Sequence, residues 1–597
     1  MALLMTIVSA VYVGRTVDHQ WVPHDEGALA QSADRTAHGE LPHRDFIELY
    51  TGGLTDVNAL AFRVFGERLN VLRVVLMLAF VLWIPAVYYV ASRLAGPVAA
   101  ALATAASVAW SVPNYPAPLP SWYNLFFAVF AIAALFRFIE TSHRRWLVAC
   151  GAAVGLSICT KIVGLYLAAG VVLVLVWHEQ TASESRDSNS GRWFGLVVTG
   201  GLVAMVLALV ALVRHVPRPA VFVHFVVPTA VLVAVLMLRE WRRPHVPSSL
   251  RVRRAVGLAL PLAIGCAVPI IVFITPYVAS GAVHDLVRGV FVTPARRVQL
   301  ASWPLPVLRS GWPALLLAAA LGGGVALPRR WQWLAAASIG IPTAYELVTW
   351  VRHPALYATF WSVARLAIPL VVACGAIVLI VQELRGRLDA STAERIFTLL
   401  SVAALCSLVQ FPFSAAIYFC YVAPLAVLAI LGVARPSPVA AVVAMFFTLF
   451  AVLTMHGRYL GALGHVDPSQ TVVAPLHAAR AGLSVPLPDV ATYDRLIPLV
   501  QQHAGPSRYA YAAPDCPEVT FLAGLRNPTG TLFDIFDDSS GHTDAVLRAL
   551  RQHDVRVVAL NADPEFSAPI RSDLDSTLEA WYPEADTVGR FTVRWRP

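Results

Sequence analysis

Apolar segments separated by short polar or charged stretches follow one another from residue 1 to residue 455. A helix needs about 20 residues to cross the hydrocarbon core of a bilayer, and these segments approach or reach that length. We therefore predict an all-α polytopic membrane domain over 1–455, with about 13–15 transmembrane helices. The pair 147–160 and 162–178 is also compatible with a re-entrant hairpin around Thr160 and Lys161. The predicted spans are 1–14, 71–91, 98–112, 121–138, 147–160, 162–178, 193–213, 219–238, 255–276, 312–327, 331–350, 362–382, 396–411, 417–434 and 437–455.

The pattern changes in the tail, 456–597, where short alternating segments and stretches with Pro and Asp replace the long apolar runs. Strand and helix patterns mixed in one segment are typical of a small α/β domain. We predict such a domain for the tail. The predicted strands are 508–513 and 555–560, and the predicted helices are 487–503 and 543–553.

The charge pattern orients the chain in the membrane. Hydrophobic residues make up 57% of it and charged residues 14%, whereas soluble domains contain about a quarter charged residues. With the N-terminus in the cytoplasm, most short Arg-rich loops, such as 239–254, fall on the inner side, as the positive-inside rule requires. The net charge of +9 therefore reports topology and indicates no nucleic-acid partner. We predict a multi-pass protein of the plasma (inner) membrane, with the first outer loop, 15–70, and the tail on the extracytoplasmic side.

The first outer loop concentrates acidic residues near the membrane surface. His24, Asp25 and Glu26 come at the start of a helix-compatible segment, 26–38. In one interpretation Asp25 caps this helix and Glu26 complements the helix dipole. In the other, these carboxylates carry out chemistry. Asp45 is likewise either a turn residue paired with its arginine neighbour or a second working carboxylate.

A longer motif around these residues resembles the start of GT-C-fold glycosyltransferases. The similar families are the protein O-mannosyltransferases, the lipid A aminoarabinose transferases and related bacterial transferases that use polyprenyl-phosphate sugars. The resemblance implies that Asp25, with Glu26 beside it, is the catalytic base or an acceptor-binding group, and that Asp45 matches a second acidic position of the same loop. We predict Asp25 and Glu26 as catalytic residues and Asp45 and His24 as substrate-binding residues. The motif comprises His24-Asp25-Glu26-Gly27, Ala30, Gly39, Pro42, Asp45-Phe46, Phe65-Gly66-Glu67 and Arg73.

The predicted activity is transfer of a sugar from a polyprenyl-phosphate donor to an extracytoplasmic lipid, glycan or protein of the cell envelope. Nucleotide sugars are not expected outside the membrane, and the sequence has no phosphate-binding glycine loop. A single displacement needs one carboxylate to take the acceptor proton and one cation near the departing phosphate, and it inverts the anomeric centre. This scheme requires no cofactor. Binding of a divalent cation by Asp25, Glu26 and Asp45 is left open. The spacing of the histidines matches no zinc motif, so no zinc site is predicted.

Candidate partners for the donor phosphate are cationic residues near the predicted outer face. Lys161 interrupts an apolar segment, where a charge is by default a functional hypothesis; alternatively it snorkels to the lipid headgroups. The resemblance also implies a lysine after a Gly-Leu run. Arg296 and Arg297 lie in an outer loop, 279–311, that breaks the positive-inside rule, so they bind either the donor phosphate or lipid headgroups. Arg352 belongs to a third cationic group.

Two other function classes stay open. A transporter or flippase of lipid-linked glycans usually contains paired repeats and broken helices, and the sequence shows neither pattern. A non-catalytic membrane assembly subunit would not need the adjacent carboxylates Asp25 and Glu26. Tyr418 and Tyr421, near the outer end of a late span, are interpreted as part of an aromatic belt.

Overall fold

The computed structural model describes residues 1–15, 17–181, 193–216, 218–242, 246–294, 328–350, 361–385, 389–434, 472–533 and 541–597, with 442, 445, 448 and 449. Within these residues, helices follow one another up to Ala434. They are α1 (Ala2–Gly14), α2 (Pro23–Ala37), α3 (Gly53–Phe65), α4 (Leu69–Ser92), α5 (Pro97–Ala109), α6 (Pro120–Thr141), α7 (Arg145–Thr160), α8 (Gly164–Thr181), α9 (Trp193–Val213), α10 (Pro219–Phe225), α11 (Val227–Arg242), α12 (Ser248–Ala279), α13 (Val283–Val287), α14 (Arg329–Trp350), α15 (Ala367–Arg385), α16 (Ala390–Cys406), α17 (Ala416–Cys420) and α18 (Ala423–Ala434).

The apolar segments form helices close to the predicted bounds, which confirms the all-α class of this region. By length and composition, 6 described helices could cross a membrane, and the bent pair α10 and α11 would make 7. This pair replaces the predicted span 219–238, because the helix breaks at Val226 and bends by 46°. The predicted spans 312–327 and most of 437–455 lie outside the described residues. The total number of spans therefore stays a prediction.

The helix α2 begins where the local sequence favours a helix start. Pro23 lies in the first turn, where a residue without an N–H group leaves no hydrogen bond unmade. Val22, with extended backbone, is the N-cap. Asp25 and Glu26 lie in the same turn, where the helix dipole favours negative charge. The helix thus starts at Pro23 instead of the predicted Glu26, and Asp25 is not its cap.

A buried ion pair holds the start of α2 against α4. Arg73 donates from Nε to Glu26 Oε1 at 2.7 Å and from Nη2 to Glu26 Oε2 at 2.9 Å. Neither side chain is more than 2% exposed. All the N–H groups of the guanidinium therefore have acceptors, which is the condition under which a buried charge pair is tolerated. The remaining acceptors are the carbonyl oxygens of Val17, His19 and Gln20.

The tail forms a small α/β domain, as predicted. Its main sheet has the strand order β3-β4-β6-β5; β3 and β4 are parallel, and the other pairs are antiparallel. The predicted strands correspond to β3 and β4 and the predicted helices to α19 and α21, whereas the sequence pattern predicted none of β1, β2, β5, β6, α20 and α22. The boundary near residue 456 lies outside the described residues. The elements are β1 (Val473–Pro475), β2 (Ser484–Pro486), α19 (Leu487–Ala504), β3 (Tyr511–Ala513), α20 (Pro517–Ala523), α21 (His542–Gln552), β4 (Val557–Asn561), α22 (Ser572–Trp581), β5 (Glu584–Val588) and β6 (Phe591–Trp595).

The tail packs directly on α2. The helix α20 approaches so closely that a Cβ atom on Gly27 would lie 2.4 Å from the backbone nitrogen of Glu518. One turn further along α2, the Gln31 side chain donates a hydrogen bond to the Thr520 hydroxyl. The position of α2 is therefore constrained from two sides, by α4 and by the tail.

We expect Gly27→Ala to weaken the docking of the tail. The added methyl group meets main-chain atoms of Glu518, and overpacking of this kind costs about 1–3 kcal/mol. The variant should melt at a lower temperature in detergent and lose its tail sooner in limited proteolysis. Gly200→Ala in α9 is the matched control, since no atom lies within 4 Å of its Cβ position. Identical melting of the two variants would contradict the close approach.

Arg73→Met should destabilise the protein by about 3–5 kcal/mol, because it leaves the Glu26 carboxylate buried and unpaired. The double variant Glu26→Leu/Arg73→Met removes both charges, so it should regain a large part of the lost stability. Thermal unfolding of the purified variants checks both expectations. A single variant that melts like the wild type would show that other contacts hold α2 in place.

Candidate active site

Asp25 presents its carboxylate toward Tyr115, in the segment between α5 and α6. Its side chain is 21% exposed, and its Oδ2 accepts a hydrogen bond from the Tyr115 hydroxyl. Burial, and then the negative charge of Asp25, raise the pKa of Tyr115 well above its usual value. Tyr115 therefore stays a neutral donor that orients Asp25. Within the described residues, Oδ1 of Asp25 accepts no hydrogen bond, so it can accept a proton.

Lys161 lies in the break between α7 and α8, which the structure forms as two separate helices. Its backbone is extended, and its Nζ donates to Ser121 Oγ at 2.9 Å. The same Nζ lies 5.3 Å from the ring centroid of Tyr50 and 5.8 Å from that of Tyr418. Aromatic faces attract a cation at these distances. The partly buried ammonium group therefore lies against polar and aromatic side chains of the protein.

Tyrosine side chains connect Asp25 with Lys161. The Tyr418 and Tyr421 rings are 5.7 Å apart. Tyr421 in turn interacts electrostatically with the Asp25 carboxylate. The Tyr421 hydroxyl is buried and has no hydrogen-bond partner in the part of the chain that the structure describes. We call Tyr50, Tyr115, Tyr418 and Tyr421 the tyrosine cluster.

An apolar cavity begins at this cluster. The cavity is small, and Ser121, the partner of Lys161, and Tyr421 line it. The rest of its lining is mostly apolar and comes from α6, α8, α16 and α18, so the cavity extends between membrane helices. The further lining residues include Leu125, Ala128, Val163, Leu167, Val409, Val422 and Leu425.

The other predicted site residues have different surroundings. Glu26 is engaged by Arg73, and we infer that it positions Asp25 rather than touching substrate. Asp45 accepts from the Leu41 N–H group at 2.6 Å and from the Arg44 guanidinium, and the hydrogen bond from Arg44 lowers the pKa of Asp45. These contacts are those of a turn residue with an ion-pair partner.

The remaining predicted site residues are His24 and three arginines. His24 is 12% exposed, and its Nε2 lies 4.0 Å from Asp25 Oδ2, so it stays next to the candidate base. Arg296, Arg297 and Arg352 lie outside the described residues. Their role as phosphate partners stays a prediction.

No sequence pattern predicted Glu48 or the meeting of the four tyrosines in one cluster. Glu48 is buried and accepts from the Thr55 hydroxyl at 2.9 Å and from the Tyr50 N–H group at 3.2 Å, so it positions the backbone of Tyr50. The amino-acid composition contains a further signal for this site. Lys161 is the only lysine of the chain, and every other one of the 45 Lys and Arg residues is an arginine.

Within the described residues, one group of potential metal ligands stands out, but it already has a cation. Ligand atoms of Asp34, His38 and Glu67 lie within 4.8 Å of one another. The guanidinium of Arg480, from the tail, pairs with both Asp34 and Glu67. The carboxylates Asp34 and Glu67 therefore serve as an anchor for the tail, and the charge balance gives no reason to place a metal ion there.

Part of the chain matches a known protein family. Residues 57–213 match the model of the family described as dolichyl-phosphate-mannose-protein mannosyltransferase. No curated protein matches the chain.

Solved structures are similar only at low identity. ArnT from Cupriavidus metallidurans in the apo state is 14% identical, with 100% of this chain and 98% of that chain covered and a TM-score of 0.36. The same protein bound to undecaprenyl phosphate is 15% identical over 99% and 96%, with a TM-score of 0.37. AglB from Archaeoglobus fulgidus, in complex with an inhibitory peptide and a dolichol-phosphate, is 12% identical over 94% and 69%, with a TM-score of 0.39. TM-scores this low carry no argument about this chain.

The family match thus rests on sequence. It begins within α3 and ends with α9, so it includes Arg73, Tyr115 and Lys161. The resemblance is confirmed for residues 57–213, which are similar to the dolichyl-phosphate-mannose-protein mannosyltransferases.

Proposed function

We propose that the chain is a membrane glycosyltransferase that moves a sugar from a polyprenyl-phosphate donor to an acceptor hydroxyl on the extracytoplasmic side. The observation that carries this proposal is the meeting of a carboxylate, Asp25, and an ammonium group, Lys161, around one tyrosine cluster beside an apolar cavity. A base for the acceptor proton and a cation for the departing phosphate are the parts that this reaction needs. The name of the matching family, which includes a dolichyl-phosphate sugar, supports a donor of this kind.

Asp25 acts as the base in this scheme. As the acceptor oxygen attacks the anomeric carbon, its proton passes to the Asp25 carboxylate. The bond between the anomeric carbon and the phosphate oxygen breaks, and the lipid phosphate leaves with the bonding electrons. One displacement of this kind inverts the anomeric centre. Tyr115 contributes by holding Asp25 in one orientation.

Lys161 is the proposed partner of the donor phosphate. The negative charge on the phosphate grows as it leaves, and a preorganised ammonium group stabilises that charge in a partly dry site. The Tyr421 hydroxyl, buried and without a partner in the described residues, is a second donor near the same place. The small apolar cavity that begins at Ser121 and Tyr421 lies beside this place, between the membrane helices.

The distribution of arginines supports an extracytoplasmic site. Arg251, at the start of α12, pairs with Glu179 and Glu240 near the ends of α8 and α11. These helix ends lie away from the α7–α8 break that carries Lys161. Since positively charged loops favour the cytoplasm, the end of the bundle with Asp25 and Lys161 is assigned to the outside.

The direct test is donor turnover by the purified protein. It would be incubated in detergent with a panel of radiolabelled polyprenyl-phosphate sugars, and release of the lipid phosphate would be measured. We expect at least one donor to be consumed. If every donor in the panel fails both to bind and to react, the chain is not a transferase of this class.

Asp25→Asn should lower turnover by about 100-fold or more, because the amide cannot accept the acceptor proton. The melting temperature should not change, since the amide oxygen still accepts the hydrogen bond from Tyr115. Asp18→Asn is the matched control, because Asp18 is an exposed carboxylate of the same outer segment. An Asp25→Asn enzyme as active as this control would remove Asp25 from the chemistry.

Lys161→Met should bind polyprenyl phosphate at least tenfold more weakly, while its fold stays intact because a costly charge is removed. Lys161→Arg should restore binding only in part, since a planar guanidinium replaces a compact point charge.

The single lysine allows a second readout that needs no activity. Apart from the N-terminus, Lys161 offers the only amine for acylation, so bound polyprenyl phosphate should slow its modification in mass spectrometry. Equal affinity of wild type and Lys161→Met, together with unprotected acylation, would pass the role to Arg296, Arg297 or Arg352.

A further inference from the structure

A loop of the tail reaches the residue next to the candidate base. We call residues 563–567, between β4 and α22, the tail loop. The Glu565 carboxylate lies 3.2 Å from Nδ1 of His24, and the Phe566 ring centroid lies 4.8 Å from that of His24. Because the other ring nitrogen of His24 faces Asp25 at 4.0 Å, His24 lies between the tail loop and Asp25.

The tail loop is held in place by a buried carboxylate. Asp515, which is 3% exposed, accepts hydrogen bonds from the Phe566 N–H group at 2.9 Å and from the Ser567 N–H group at 2.5 Å. Its other oxygen accepts from the Ser567 hydroxyl. At the start of the loop, the N–H group of Asp563 donates to Asn561 Oδ1 at 3.1 Å. The backbone that carries Glu565 and Phe566 is therefore fixed before any ligand arrives.

The two side chains that this backbone carries are nevertheless open to solvent. The Glu565 side chain is 61% exposed and Phe566 is 44% exposed. The Phe566 ring packs near His24 and lies 6.2 Å from the ring centroid of Phe533, and the rest of it is open. A fixed backbone that presents a partly exposed aromatic ring and an exposed carboxylate beside a base is an arrangement that suits a binding site.

We propose that Phe566 and Glu565 form the acceptor subsite and that the acceptor is a carbohydrate. The flat face of Phe566 matches the C–H face of a pyranose ring, and the Glu565 carboxylate accepts hydrogen bonds from neighbouring sugar hydroxyls. The reacting hydroxyl then points past His24 to Asp25. This assignment rests on the proposed function, because Asp25 as the base decides which side of the site is the acceptor side.

The test measures binding, so it does not depend on transfer. Saturation-transfer difference NMR would be recorded on the full-length protein in detergent with a panel of methyl hexosides and with a serine- and threonine-containing peptide. We expect saturation of the C–H protons of at least one methyl hexoside. Phe566→Leu, which keeps an apolar side chain but has no flat face, should weaken that binding at least tenfold. Phe566→Trp should preserve it.

Glu565→Gln should weaken binding several-fold, because a neutral amide is a poorer hydrogen-bond acceptor than a carboxylate. Asp554→Asn is the control, as Asp554 is an exposed carboxylate elsewhere in the tail. Unchanged hexoside binding by Phe566→Leu overturns the proposal. So does a wild type that binds the peptide and none of the hexosides, which would make the acceptor a protein. Failure of every donor to react would instead contradict the proposed transferase and leave the NMR result to decide the subsite.

Discussion

The buried pair of Glu26 and Arg73 is the interaction on which the site depends. Two charges without access to water are tolerated only when every donor and acceptor is matched, and here the guanidinium also takes three carbonyl oxygens of the chain before α2. The pair therefore fixes both the path into α2 and the rotation of its first turn. Adjacent residues of a helix point about 100° apart, so with Glu26 turned into the protein, Asp25 points toward Tyr115.

The site is assembled from three parts of the chain that meet at α2. The helix α2 contributes Asp25, the ends of the membrane helices contribute Lys161 and most of the tyrosines, and the tail contributes the loop with Glu565. Close approach at Gly27 brings the tail within reach of His24. The same helix thus joins the candidate base to the membrane helices and to the tail.

Lys161 illustrates how a costly charge is kept. The Ser121 hydroxyl and the faces of Tyr50 and Tyr418 compensate part of the hydration that the ammonium group loses. Such a group gains from an anion that arrives with the substrate. The chain uses arginine at its other Lys/Arg positions, and one of these, Arg251 near the other helix ends, pairs with Glu179 and Glu240.

Local patterns in the sequence determined the elements, because helical and strand periodicity depend on near neighbours. The segment 193–213 is a helix with the predicted bounds, and the predicted strand 555–560 corresponds to Val557–Asn561. A short motif also singled out Asp25, and one interrupted apolar run singled out Lys161.

Tertiary structure alone decided what these residues face. The hydrogen bond from Tyr115 to Asp25, the pairing of Glu26 with Arg73 and the contact of Lys161 with Tyr418 join residues far apart in the sequence. No local pattern encodes them, since each depends on how whole helices pack. For the same reason, the two adjacent carboxylates Asp25 and Glu26 look equivalent in the sequence but differ in the structure. The Asp25 side chain is partly exposed, and the Glu26 side chain is fully buried.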